Sequence, residues 1–81
     1  MRSTAEIFGD NVRRIREEQR LTKMRFCDMI GIGRPLLDSI ERGRSNVRLS
    51  YLVKIAEALE TTPYDLLREA PPEVPARRAH L

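Results

Sequence analysis

Between Leu21 and Gly43 the chain reads LTKMRFCDMIGIGRPLLDSIERG, with Gly31 standing where two short apolar patterns meet. Phe26, Cys27 and Ile30 fall at i, i+1 and i+4, a stripe down one side of a helix, and Ile32 follows the glycine. Leu37 and Ile40 make an i, i+3 pair on a second helix. At Gly31 a left-handed backbone is cheap, so the spacing predicts two short helices joined by a sharp turn. The second helix then carries an outward face of Arg34, Pro35, Asp38, Ser39 and Arg42. Such a face has no use in a core. Two short helices on a tight turn can push one of them into the major groove of DNA, where this face would meet base edges and phosphates.

Size and composition limit the alternatives. A chain of 81 residues makes one small domain, near the lower end of what folds without a staple. It has a single cysteine and a single histidine, so neither an internal disulfide nor a structural zinc site can be built. Packed helices must therefore supply the stability, and a second subunit would add to it. No apolar run approaches a membrane span, and Met1 to Asp10 lacks a signal-peptide pattern, so a soluble, reducing, cytoplasmic setting is expected. Catalysis needs convergent polar groups in a sheltered pocket. The chain offers no Ser/His/Asp set, metal cluster or phosphate-binding glycine loop, so no enzyme, cofactor, metal or small-molecule ligand is expected.

Charge is spread unevenly. Residues 1–48 hold eleven Lys/Arg against seven Asp/Glu, a balance of +4, whereas residues 49–73 hold two against five, a balance of −3. Small helical domains are often a third charged, so the asymmetry alone would describe an ordinary solvated surface. It gains meaning because the basic half coincides with the two-helix segment, as suits a protein presenting one face to a polyanion.

The whole pattern predicts an all-α, compact five-helix bundle over residues 6–70, with a frayed start over 1–5 and a proline-rich, disordered tail, PPEVPARRAHL, over 71–81. The first helix is expected from about Glu6 to Gln19, with Phe8, Val12 and Ile15 on its apolar face. Thr22 is the expected N-cap of the second, although Arg25 stands where a glutamate would close a capping box. The third starts near Gly33 to Pro35 and ends at Gly43. Because Pro35 disfavours the α conformation for the residue before it, Arg34 is expected just outside that helix. Leu49, Leu52, Ile55, Ala56 and Leu59 are expected to face inward from the fourth helix. Thr62 and Pro63 open the fifth, and around it Tyr64, Leu66 and Leu67 are the expected dimer contact.

The segments NVRRIREEQRL, TKMRFCDMIG, LLDSIERG with its I-E-x-G ending, and LSYLVKIAEALETTPYDLL come in that order. Together they resemble the phage-repressor-type (Cro/cI, Xre) helix-turn-helix proteins, from about Phe8 to Leu67. The resemblance implies a lambda-repressor-like DNA-binding domain and assigns roles by position. Arg34, Pro35 and Ser39 match base-reading positions, and Leu36 matches a position nearer the sugar-phosphate and thymine-methyl surface. Arg34 has two readings, a bidentate contact to guanine O6 and N7 or a plain phosphate contact. Asp38 also has two: it accepts from cytosine N4, or it holds Arg34 as an i, i+4 pair, the latter favoured because phosphates repel a free carboxylate. Phosphate contacts fall to Thr22 and Lys23 at the start of the second helix and to Arg42, Arg44, Ser45, Asn46 and Arg48 after the third. Arg16 and Glu41 match a partly buried ion pair tying the first helix to the end of the third. Gly33 replaces the family's usual Ser/Thr cap, and Pro35 brings no polar group to a base-reading position. Cys27 fills a slot usually held by alanine, as a small buried hydrophobe.

The expected function is that of a sequence-specific, double-stranded DNA-binding transcriptional regulator, a repressor or controller. It would act as a homodimer on a palindromic operator whose half-sites lie one helical turn, ~34 Å, apart. The SNVRLSYL loop faintly resembles the corresponding segment of restriction–modification controllers. The alternative is a protein-binding adaptor or antitoxin whose partner is another protein, such as a toxin or RNA polymerase.

Overall fold

The computed structural model describes residues 1–70, so the tail over 71–81 lies outside the described residues. Its elements are α1 (Thr4–Glu18), α2 (Lys23–Ile30), α3 (Arg34–Glu41), α4 (Leu49–Ala58) and α5 (Pro63–Leu67), with no strand among the described residues. α1 packs on α3 and α5, α2 on α3 and α4, and α4 on α5. These contacts enclose one core of Phe8, Val12, Phe26, Cys27, Ile30, Leu37, Ile40, Leu52, Ile55, Ala56, Leu59 and Leu66.

α1 begins earlier than the sequence reading places it. Ser3 accepts from the Glu6 amide at 3.1 Å, and the Glu6 carboxylate accepts from the Ser3 amide at 2.8 Å, a closed capping box. Arg2 is tied to Asp10 and, at 3.4 Å, to Glu69. The expected fraying over residues 1–5 is therefore corrected from Ser3 onward, where the capping box satisfies the amides of Ser3 and Glu6 and helix begins at Thr4.

The turn after α2 follows from Gly31, which closes that helix in the left-handed region at φ 74°. There the amides of Gly31 and Ile32 both donate to the Cys27 carbonyl, at 2.8 and 3.1 Å. Arg34 is the first residue of α3 and does not lie outside it. Gly33 takes the extended cap conformation, and the Leu37 amide donates to its carbonyl at 3.2 Å, which requires a helical Arg34. Pro35, in the first turn, removes only an N–H that would lack a helical partner anyway.

α1 and α3 approach unusually closely because Gly9 lies between them: a Cβ there would fall 2.0 Å from the Ile40 carbonyl oxygen. In contrast, α1 and α4 leave through non-glycine residues in the left-handed region, Arg20 (φ 60°) and Glu60 (φ 59°).

Leu49 is a second correction. Seven residues before Ala56 it shares that residue's angular face, yet it is 77% exposed. It belongs to the first turn of α4, which overhangs the core uncovered, and Val53 one turn on is also exposed.

Candidate nucleic-acid interface

α2, the Gly31 turn and α3 bring together the residues read from the sequence as groove-facing. Arg34 and Pro35 are exposed, Ser39 is half-buried, and Leu36 is half-buried with one side against the core. On the opposite side of α3, Leu37 and Ile40 are fully packed. One side of the helix thus anchors it while the other stays in solvent.

At the head of α2 the Thr22 hydroxyl accepts from the Arg25 amide at 3.1 Å, capping the helix. Lys23 reaches across the turn, its Nζ donating to Asp38 Oδ1 at 2.9 Å. Arg34 Nε stands 3.6 Å from the same oxygen. The hydrogen bond from Lys23, with the charges of Lys23 and Arg34 beside it, holds the Asp38 carboxyl below the usual carboxylate range.

Beyond α3 the Arg44 amide donates to the Ser39 carbonyl at 3.0 Å, turning the chain at Gly43 (φ 74°) into the loop before α4. Arg42, Arg44, Asn46 and Arg48 are exposed there, with Ser45 half-buried among them. These arginines make no ion pair with another described residue. Their charges face solvent unneutralised, in the segment between α3 and α4.

Behind this face lies a buried polar joint. Arg16 donates to Glu41 through Nε at 2.7 Å and Nη2 at 3.1 Å, and its Nη1 reaches the Leu21 carbonyl at 2.8 Å. Both side chains are nearly inaccessible, at 7% and 5%. The hydrogen bonds to Glu41 outweigh the burial of the guanidinium and raise its pKa further. Cys27, on the inner side of α2, is buried, and burial pushes its thiol pKa up, as befits a packing residue and not a nucleophile.

The residues expected at a dimer contact are divided by the structure. Tyr64 is 72% exposed, Leu67 is partly exposed, and Leu66 is completely buried at 0%. Leu66 is therefore withdrawn from the contact, because it fills the monomer's own core. The Arg68 guanidinium lies over the Tyr64 ring, 5.5 Å from its centroid.

Sequence reasoning missed Asn11. Its Nδ2 donates to the carbonyls of Leu66 and Arg68 at 2.8 Å each, with that of Asp65 at 3.4 Å, and so closes the C-terminal end of α5 against α1. The available signal was a polar residue inside the Phe8, Val12 and Ile15 stripe. Gln19 was also missed; its Nε2 donates to the Leu59 carbonyl at the end of α4, at 2.8 Å. Among the described residues no cluster of metal-ligating side chains is present, and no helix is long and apolar enough to cross a membrane.

Comparison with known proteins agrees with this geometry. A family model described as helix-turn-helix matches residues 12–66. Over 62 residues the chain is 37% identical to the control protein C.SmaI of Serratia marcescens, covering 76% of this chain and 74% of that protein. The restriction-modification controller protein C.AhdI of Aeromonas hydrophila superposes with a TM-score of 0.72 at 31% identity, over 76% of this chain and 94% of that one. SinR, a master regulator for biofilm formation solved in complex with DNA, shares the fold at 24% identity. Its TM-score is 0.71, over 75% of this chain and 98% of that one.

Proposed function

The chain belongs to the helix-turn-helix family HTH_3, a family of transcriptional regulators and not of enzymes, and on that premise we propose that it is a sequence-specific controller of transcription that binds duplex DNA through α3. The observation that carries this reading is the set of exposed arginines without an ion pair, Arg42, Arg44 and Arg48, in the segment that follows a helix with one side locked into the core and the other in solvent. Unpaired guanidiniums next to an exposed helix are what a phosphate backbone selects.

In this reading Arg34, Pro35, Leu36, Asp38 and Ser39 face the base pairs. Arg34 offers a bidentate fork to guanine, while Pro35 and Leu36 contribute van der Waals contact and sensitivity to groove shape. Thr22 and Lys23 grip one phosphate strand, and Arg42, Arg44, Ser45, Asn46 and Arg48 grip the other. So small a reading surface covers only a few base pairs. Two copies related by a two-fold axis would read half-sites ~34 Å apart on a palindromic operator. The exposed Tyr64 and Leu67 are the proposed contact between copies, with a cytoplasmic setting for the complex.

Selection of bound sites from a random duplex library tests the reading directly. A symmetric consensus with half-sites one turn apart supports both DNA reading and dimerisation. An asymmetric single half-site removes the dimer, and absence of salt-dependent binding to any duplex removes the regulator assignment in favour of a protein-binding adaptor.

A further inference from the structure

Asp38 stands between two cations that the DNA-binding reading assigns to the duplex. Its Oδ1 accepts from Lys23 at 2.9 Å and lies 3.6 Å from Arg34 Nε. Lys23 opens α2 and Arg34 opens α3, so one carboxylate ties together the leading ends of both helices of the motif across the Gly31 turn. Arg42, Arg44 and Arg48 have no such tether.

The two groups of cations must therefore meet a polyanion differently. A free arginine gains the same counterion release from any phosphate, whatever the sequence. Lys23 and Arg34 either part from Asp38 on docking or bring its negative charge up to the phosphates, which repel it. Either way, a duplex that offers only phosphates gains less from them. A duplex that offers Arg34 a matched base edge recovers the difference, because the fork of the guanidinium is then used in full.

From this arrangement we infer that Asp38 is a positioning residue that determines specificity, restraining Lys23 and Arg34 from indiscriminate phosphate contact and aligning Arg34 along α3. Discrimination then arises largely from weakened binding to the wrong DNA. The inference rests on the DNA-binding reading above.

The test compares the chain with Asp38→Asn and Asp38→Glu on two duplexes, the site selected by the unaltered chain and a random sequence, over a range of salt concentrations. Asp38→Asn is expected to bind the random duplex about tenfold more tightly, with a log–log salt slope steeper by about 0.9 for each cation released. Affinity for the selected site changes less, so the ratio between the two duplexes falls. Asp38→Glu, which keeps the charge, stays near the unaltered ratio. Adding Lys23→Ala to Asp38→Asn returns the slope toward its starting value.

Other results overturn the inference. Unchanged random-duplex affinity with preference lost at a single base pair would make Asp38 itself a base acceptor. Equal losses on both duplexes, leaving their ratio unchanged, would make it a purely structural link. If the unaltered chain binds neither duplex, the DNA-binding reading falls and takes this inference with it.

Discussion

Arg16 and Glu41, separated by 25 residues in sequence, meet through a two-pronged pair of hydrogen bonds at 2.7 and 3.1 Å that joins α1 to the last turn of α3. Because both groups are almost out of water, the pair matters less for its own attraction than for what happens when one partner is lost. Glu41→Gln leaves the buried Arg16 charge with only the exposed Glu17 carboxylate, 3.7 Å away, to offset it, and should lower unfolding stability by about 3 kcal/mol. That is a large share of the roughly 5–15 kcal/mol available to a domain of this kind. Urea denaturation checks it. The double variant Arg16→Met, Glu41→Leu should recover most of the loss, since it buries no orphan charge.

Asn11→Ala removes the donors that close the end of α5. The carbonyls of Leu66 and Arg68 then lose a shared partner inside the fold, at an expected cost of about 1–3 kcal/mol. Hydrogen exchange should show the effect concentrated in α5. A uniform loss of protection across all helices would contradict the assignment.

Glu60→Gly should act in the other direction. Glu60 is exposed and sits at φ 59°, where a side chain costs energy that glycine avoids. Glycine's extra freedom in the unfolded chain offsets part of the gain, leaving about 0.5–1 kcal/mol of stabilisation. A raised melting temperature with unchanged DNA affinity is the expected result.

Arg34→Ala and Arg44→Ala should fail differently on DNA. Loss of the Arg34 fork should change which base pairs are preferred, by about 1–3 kcal/mol at one position. Loss of Arg44 should weaken all duplexes alike and flatten the salt slope by about 0.9. Filter binding on matched and scrambled duplexes separates the two outcomes.

Asp38 also links stability to acidity. Its folded pKa is lowered, so its contribution is complete above the unfolded carboxyl value of about 3.9 and is lost as pH falls through the folded value. The melting-temperature difference between the chain and Asp38→Asn should therefore be largest near neutrality and shrink below about pH 4. A difference that grew in acid would have the wrong sign.

Local chemistry was the legible part of this fold. Thr22 and Gly31 bound α2 through short-range bonding that a few neighbouring residues dictate, and the paired apolar residues orient α2 and α3. Ser3 and Glu6 carried the same kind of signal, but their place at the chain's start suggested fraying until the closed capping box was seen. Arg20 and Glu60 gave no sign of their left-handed turns, because charged residues rarely take that conformation. Which of Leu66 and Leu67 lies inside depends on how a five-residue helix packs against α1 and α4, a matter of contact between distant segments. Asn11, Gln19 and the Lys23–Asp38 link likewise have partners far along the chain, which periodicity cannot reveal. The Arg16–Glu41 joint was accessible only through family resemblance.

α3 divides its duties cleanly between two sets of side chains. Leu37, Ile40 and Glu41 fasten the rod to its chassis, while Arg34, Pro35 and Arg42 contribute almost nothing to that fastening. The outward positions can consequently be exchanged without loosening the frame, so one unaltered skeleton tolerates many different outer faces.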